Sequence, residues 1–476
     1  MKRQVRVVLA SFSIIGFLIF QTIYPASTIA APSCSISGDG SASSPWLVRS
    51  SVDLQCFESG TWTPPSASIG YVSLLADVVK INSFKLFKDS TEITINFQGN
   101  SHTITISGVT DFMGLFQNSR NSVFEDFNVQ ISGASSLKIP GAGTPGYGWV
   151  VAQDYSSTFD NIQISAPISN GNGGIIGLAY GSYVKNSSSS GTIGTNYAGG
   201  LVQSTQPGAS PAQTRIENSY STGLIGATSG GILGVAKSDT KITRSYSTGL
   251  IDNGGAGGLA GGSVVPTGSG QLLIESSYST GNIGFSSGGI LGAYSLNFAI
   301  SNVYSTGNVV DYAGGIVGAN ASDGGVYNSY VLGNILPGGE GIYSRTRSAN
   351  PNLTSLNVYV VDNLGWSDVT AASTLTGYQG WGGSYKWVQC TINTPAKITA
   401  FYTRDPCAPE PTPEPTPDPT STSSPTSTNT VATAAPTLAK TGVSGFKLNL
   451  ISGIAMGALL FGIFTIKFAK NKRISN

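Results

Sequence analysis

Asp252 and Asp311 are the two carboxylates whose placement could do chemistry, lying three and four residues beyond Gly249 and Gly307 in similar places of a repeating pattern. Two strands apart in a stack, they would be separated by about 10 Å at roughly 4.8 Å per strand. Carboxylate pairs that cleave glycosidic bonds stand about 5 to 9.5 Å apart. The spacing is marginal for acid–base hydrolysis, and no third group joins the pair. Turns at Asp252-Asn253 and at Asp323 are too isolated to define a calcium site. His102, the only histidine, sits in a Thr-rich stretch beside Asn100 and Ser101 with no cysteine close in sequence, so no nucleophile–base dyad is expected. Cys34 and Cys56 stand near one end of the folded part and Cys390 and Cys407 near the other. Two local disulfides are expected, because neither spacing matches the short C-x-x-C pairs of zinc or redox sites. No catalytic residue, cofactor or metal is assigned on these grounds.

The elements that would position such residues are read from composition and periodicity. Of 476 residues 40 % are hydrophobic, enough for a sizeable core, while only 10 % are charged and 62 are glycine. Average soluble proteins carry about 25 % charged residues, so a helical globule with salt-bridged faces is disfavoured and turn-rich β structure favoured. Lys plus Arg at 25 nearly balances Asp plus Glu at 24, which leaves no global field to draw in nucleic acid.

Gly-Gly followed by an apolar residue recurs at Gly173, Gly199, Gly230, Gly257, Gly288 and Gly314, at intervals of 26, 31, 27, 31 and 26. A second element, Ser-Tyr-Ser-Thr-Gly in its fullest form at Ser219 to Gly223, follows in each unit, and it carries Tyr220, Tyr246, Tyr278, Tyr304 and Tyr330. Units of about 26 residues with two or three short apolar stretches cannot close a core alone. Stacked so that each strand pairs with its equivalents above and below, they bury a continuous column: an all-β parallel β-helix of eight or nine rungs, with Ile232, Leu233, Ile290 and Ile316 pointing inward. A propeller is disfavoured because its blades need about 40 or more residues. The tyrosine ladder serves either packing or an exposed aromatic strip. Two insertions, Ser204 to Thr214 and Gly262 to Gln271, should leave one corner as candidate ligand-contact loops.

These units resemble GLUG repeats, which occur in bacterial surface and adhesin-like proteins, over about residues 140 to 345. The resemblance implies a solenoid on a cell surface. Around it, the chain reads as a cap and lead-in segment over 31–90, a β-helix over 91–345, and a second cap over 346–407 with Trp366, Trp381 and Trp387.

Both termini carry addresses. Lys2, Arg3 and Arg6, the apolar run Val7 to Phe20 and the small-residue exit at Ala30 read as a secretory signal over 1–30. Residues 408–437 are rich in Pro, Thr and Ser. Such a tract cannot form a core and, as polyproline II, spans up to roughly 90 Å. Within 438–476 come Leu438-Ala439-Lys440-Thr441-Gly442, an apolar stretch from Leu448 to Phe468 and a basic tail with Lys470, Lys472 and Arg473. That order resembles the sorting signal of sortase substrates, with Ala439 in place of the more familiar proline, as in the Leu-Ala-x-Thr-Gly variant of some high-GC Gram-positive bacteria. The resemblance implies cleavage between Thr441 and Gly442 after transient membrane insertion, with sortase and peptidoglycan as partners. The sequence therefore points to a wall-anchored adhesin or surface-interaction protein that meets a glycan or matrix protein. The alternative is a wall-bound polysaccharide lyase or glycoside hydrolase of β-helix type.

Overall fold

The computed structural model describes residues 34–58, 69–87, 92–141, 144–207, 213–263 and 270–344, together with the backbone of the strands Leu353–Val360, Trp387–Val388 and Lys397–Ile398. Most strands of the repeats are two to five residues long, with Thr158–Ser165 and Gly324–Val331 reaching eight. A residue in the left-handed region turns the chain between consecutive strands of a rung at Asn186, Asn218, Arg244, Ser276 and Asn302, and bends the longer strand Gly324–Val331 at Asn328, all with φ between 46° and 53°. Asn tolerates that region best among non-glycine residues, which accounts for its recurrence just before the Ser-Tyr element.

Stacking converts these short strands into long parallel ladders. One face of the coil runs through Trp46–Val48, Gly70–Leu74, Ile95–Ser107, Val123–Ser132, Thr158–Ser165, Tyr183–Lys185, Thr214–Glu217, Thr240–Thr243, Leu272–Glu275, Phe298–Ser301, Gly324–Val331 and Leu353–Val360. Its buried register is Val72, Phe97, Phe124, Phe159, Val184, Ile216, Ile242, Ile274, Ile300 and Val326, each 0–2 % exposed. A second face carries the Tyr-Ser strands, from Tyr220–Ser221 to Tyr304–Ser305. A third stacks Phe116–Arg120, Val151–Tyr155, Ile176–Tyr180, Val202–Thr205 and Leu233–Ala236. Single parallel pairings then carry it on from Leu233 through Ala260, Leu291 and Val317 to Tyr343. The fold is an all-β parallel β-helix, and the six-residue helix Ser51–Cys56 is the one helix among the described residues.

Nine strands of the first face, from Ile95–Ser107 to Gly324–Val331, fall within residues 91–345. The column is longer than that segment: Trp46–Val48 and Gly70–Leu74 stack below it and Leu353–Val360 above it. The boundaries at 90 and 345 therefore fall inside the column. Neither flanking stretch carries the Gly-Gly-apolar or Tyr-Ser element that marks a rung. Ile232, Leu233, Ile290 and Ile316 are all fully buried.

The Gly-Gly motif follows from the approach of one rung to the next. A Cβ at Gly231 would overlap the Gly258 carbonyl, and one at Gly258 the Gly289 carbonyl. The hydroxyls of Ser247 and Ser279, pointing in from the second face, fill the space against these glycines. Ser187, Ser219 and Ser245 form a separate ladder at the corner. The backbone N–H of each donates to the hydroxyl one rung on, at 3.1–3.2 Å, and each hydroxyl donates to the carbonyl two residues back, at 2.7–2.9 Å.

Cys34 and Cys56 form a disulfide with a Cα–Cα distance of 5.5 Å, tying the chain start to the first helix. Cys390 and Cys407, the signal over 1–30, the linker over 408–437 and the sorting residues Leu438 to Gly442 lie outside the described residues, as does 346–407 apart from the three strands named. Among the described residues no helix is long and apolar enough to cross a membrane.

Candidate functional site: a groove on the third face

Side chains of the third face assemble a groove of about 780 Å³. Register sets Gln153, Leu178 and Ser204 in line across three consecutive rungs, and all three line the groove together with Gln203 and Gln206. Asn170 and Asn196 come from the turns after the fourth ladder, which pairs Ile168 with Ile193. Ile139 and Pro140 add apolar surface to the lining, and Lys237 supplies a cation. The lining is thus rich in carboxamides, groups that both donate and accept hydrogen bonds without net charge.

Two tyrosines give the groove aromatic surface. Tyr180 stacks on Tyr155 at 4.6 Å with an interplanar angle of 11°. The Arg120 guanidinium lies 4.6 Å over the Tyr155 ring and is itself held by Glu92. This chain fixes Tyr180 from below, and burial beside Tyr155 pushes its phenol pKa upward. Tyr197 is 38 % exposed and has φ of 63°, next to Asn196 at 59°. A bulky residue in that region is strained. Its N–H donates to the Thr228 hydroxyl at 3.3 Å, and its phenol oxygen is 3.4 Å from the Ser263 hydroxyl.

Of the four residues that bound the candidate loops, only Ser204 lines the groove. Thr214 opens a strand of the first face, fully buried, with its hydroxyl accepting from the Gly181 N–H at 3.1 Å. Gly262 is buried against the preceding turn and donates to the Thr228 carbonyl at 3.0 Å. The Gln271 N–H donates to the Asp239 carboxylate at 2.8 Å. The excursions are therefore shorter than the insertions, whose ends are built into the column.

The charged residues, sparse and scattered in sequence, are gathered by the coil on the outside of the first face. Lys185 pairs with Asp160 at 2.8 Å, Lys241 with Glu275 at 2.9 Å and Arg244 with Glu217. Tyr183 donates to Glu217 at 2.8 Å beneath the Arg215 guanidinium. Burial, helped by Asp126 and Asp160, raises the Glu125 pKa. The Asp160 bond holds Lys185 more firmly protonated. Spacing of whole rungs, not local sequence, makes this cluster, so no short motif announces it.

The remaining candidates stay apart. The ladder pairing Ile251, Ile283 and Val309 sets Asp252 level with Gly284 but Asp311 one residue further round its rung. The Asp252 carboxylate accepts the Asn253 N–H at 2.8 Å, as a turn cap. His102 Nδ1 lies 3.2 Å from the exposed Asp77 carboxylate, which also accepts the Thr103 N–H at 2.8 Å. The tyrosine ladder stacks face to face at 4.7–5.1 Å with interplanar angles of 1–5°, leaving no room for a ligand between rings. Its exposure falls from 37 % at Tyr220 to 1 % at Tyr330. Among the described residues no group of three or more histidine, cysteine or acidic side chains could hold a metal ion.

No protein-family model matches the chain, and no curated protein matches it. Among solved structures it is similar to a candidate immunoglobulin A1 protease from Bacteroides ovatus, with 19 % identity and a TM-score of 0.35 over 68 % of this chain and 86 % of that one. Likeness at that level carries no argument about what this chain does.

Proposed function

We propose that the chain is an exported, wall-anchored surface protein of a Gram-positive bacterium that binds a glycan in the third-face groove without cleaving it. The observation that carries the reading is the groove lining: Gln153, Gln203, Gln206, Asn170 and Asn196 beside Tyr180 and Tyr197. Carboxamides match the hydroxyls of a sugar, and a tyrosine face offers the apolar surface on which a sugar ring lies. Acid–base cleavage needs positioned groups of matched pKa, and among the described residues no carboxylate lines the groove. The GLUG-like repeats then act as a rigid rod. Residues 408–437 form the stalk that holds it off the wall, and sortase joins Thr441 to peptidoglycan after the signal over 1–30 is removed.

Glycan-array binding of residues 31–407 tests the reading, with Gln203→Ala and Tyr180→Ala weakening each hit. Release of shortened saccharides, lost in Asp252→Asn or Asp311→Asn, would replace it with the lyase or hydrolase alternative. Mass spectrometry of wall digests checks the anchor, which requires a C-terminus at Thr441.

A further inference from the structure

At the N-terminal end of the column a buried lysine and glutamate meet a half-buried asparagine. Lys80 ends the strand Val78–Lys80 and pairs with Ile106 of the next rung, and its side chain is fully buried. Glu58 follows the helix Ser51–Cys56 just after Phe57, and its side chain is 8 % exposed. Each carboxylate oxygen of Glu58 serves a different partner. Oε1 accepts from Lys80 Nζ, and Oε2 accepts from Asn82 Nδ2 at 2.8 Å. Lys80 Nζ is also 2.9 Å from Asn82 Oδ1, which closes the triangle.

Asn82 Oδ1 also accepts the Phe84 N–H at 3.0 Å, which holds the carboxamide in place beside the ion pair. We infer that Lys80 and Asn82 become joined by an amide bond in the folded chain, with Glu58 carrying the protons. Glu58 Oε1 takes a proton from the Lys80 ammonium. The free amine then attacks Asn82 Cγ, the Nζ–Cγ bond forms and the Cγ–Nδ2 bond breaks. Glu58 moves a proton from the attacking nitrogen to Nδ2, which leaves as ammonia. The proton that Lys80 brought stays on Glu58, so the buried cation and anion are replaced by a neutral amide and a neutral acid, and no oxidant or cofactor is consumed.

Three features favour the step. Burial lowers the Lys80 pKa and so frees its lone pair. Lys80 Nζ lies 2.9 Å from Asn82 Oδ1, and rotation of the side chain would carry it from the oxygen toward Cγ, where attack requires about 3–3.5 Å. A carboxylate bonded to both nitrogens is placed for general acid–base transfer. The inference stands apart from the glycan reading, since the triad belongs to the first rungs and none of its residues lines the groove.

The full chain, purified folded and then denatured, reduced and digested with trypsin, provides the test. Its intact mass should be lighter by one ammonia than sequence, processing and disulfides require. Trypsin should fail to cut after Lys80, whose amine is acylated, and the missing ammonia should map to the peptide holding Lys80 and Asn82. Chain held in denaturant from the moment of synthesis should carry the full mass and lose ammonia only on refolding. Glu58→Gln should slow that loss by about 100-fold or more. Full mass with cleavage at Lys80 in the folded chain would overturn the inference whether or not the variant folds. So would loss of ammonia with Lys80 still cut, which is the signature of a succinimide at Asn82-Ser83, and so would an unchanged rate in E58Q.

Discussion

The column solves one packing problem in two ways. From Trp46 to Phe159 its interior is filled by size: Trp46, Phe57, Phe87, Phe116, Phe124 and Phe159 form a chain of rings with centroids 4.9–6.4 Å apart, and strands reach thirteen residues. From Gly173 onward it is filled by repetition, with isoleucine stacked on isoleucine and glycine against glycine. A large interior side chain can be replaced only at the cost of a cavity, whereas a glycine at a rung contact cannot accept even a methyl group. The two halves should therefore fail in opposite directions, the first under truncation and the second under enlargement.

Phe124→Ala tests the first half most severely. It removes a fully buried ring stacked on Phe159 at 4.9 Å, and urea denaturation should show a loss of about 3–5 kcal/mol. Gly258→Val tests the second, because its Cβ would overlap the Gly289 carbonyl and Ser279. A loss of about 1–3 kcal/mol is expected, while the reciprocal change Ile242→Val should cost only about 0.5–1.5 kcal/mol. If the glycine change proved milder than Ile242→Val, the close approach of rungs would not be the constraint proposed.

Two serines in one repeat sharpen the point further. The Ser245 hydroxyl accepts from the Ser219 N–H and donates to the Thr243 carbonyl, so Ser245→Ala should cost about 1–3 kcal/mol by stranding buried partners. The Ser247 hydroxyl, equally buried, has no partner among the described residues, and Ser247→Ala should be neutral or stabilising by thermal denaturation.

Asp154, at the junction of the halves, adds a pH-dependent test. It is fully buried and accepts from the Ser119 and Ser182 hydroxyls and the Ser157 N–H. Burial outweighs these bonds and pushes its pKa up from 3.8. The native state then holds this proton more tightly than the unfolded chain, so stability falls as pH rises from about 3.8 through the native pKa and levels off above it. Asp154→Asn should flatten that part of the stability–pH curve. A wild-type curve that rises across the same window at this site would contradict the assignment.

The repeats were legible because the Gly-Gly and Tyr-Ser elements recur where rung contacts permit nothing larger. The rungs of Phe97 and Phe124 fall inside the segment read as β-helix even though large rings take the places that Ile242, Ile274 and Ile300 take later, whereas Trp46–Val48, Gly70–Leu74 and Leu353–Val360, read as caps, belong to the column, because outside the repeats nothing spells the stacking. Ser204, which lines the groove, stands at the edge of an interrupted period and could be singled out from it. Gln153, Asn170 and Tyr180 could not, because the coil brings together residues a full rung apart that share no motif. The charged cluster around Lys185 and Glu217 escaped for the same reason.

The proposed glycan site thus lies at the irregular junction, not on the regular ladder, and a paired substitution separates the two. Tyr180 lines the groove, while Tyr278 sits in the self-stacked ladder between Tyr246 and Tyr304. Titration of the chain with its best array glycan should show Tyr180→Ala weakening binding tenfold or more, about 1.4 kcal/mol, and Tyr278→Ala leaving it within twofold. Loss of binding in Tyr278→Ala with Tyr180→Ala unaffected would contradict the account and move the site to the ladder.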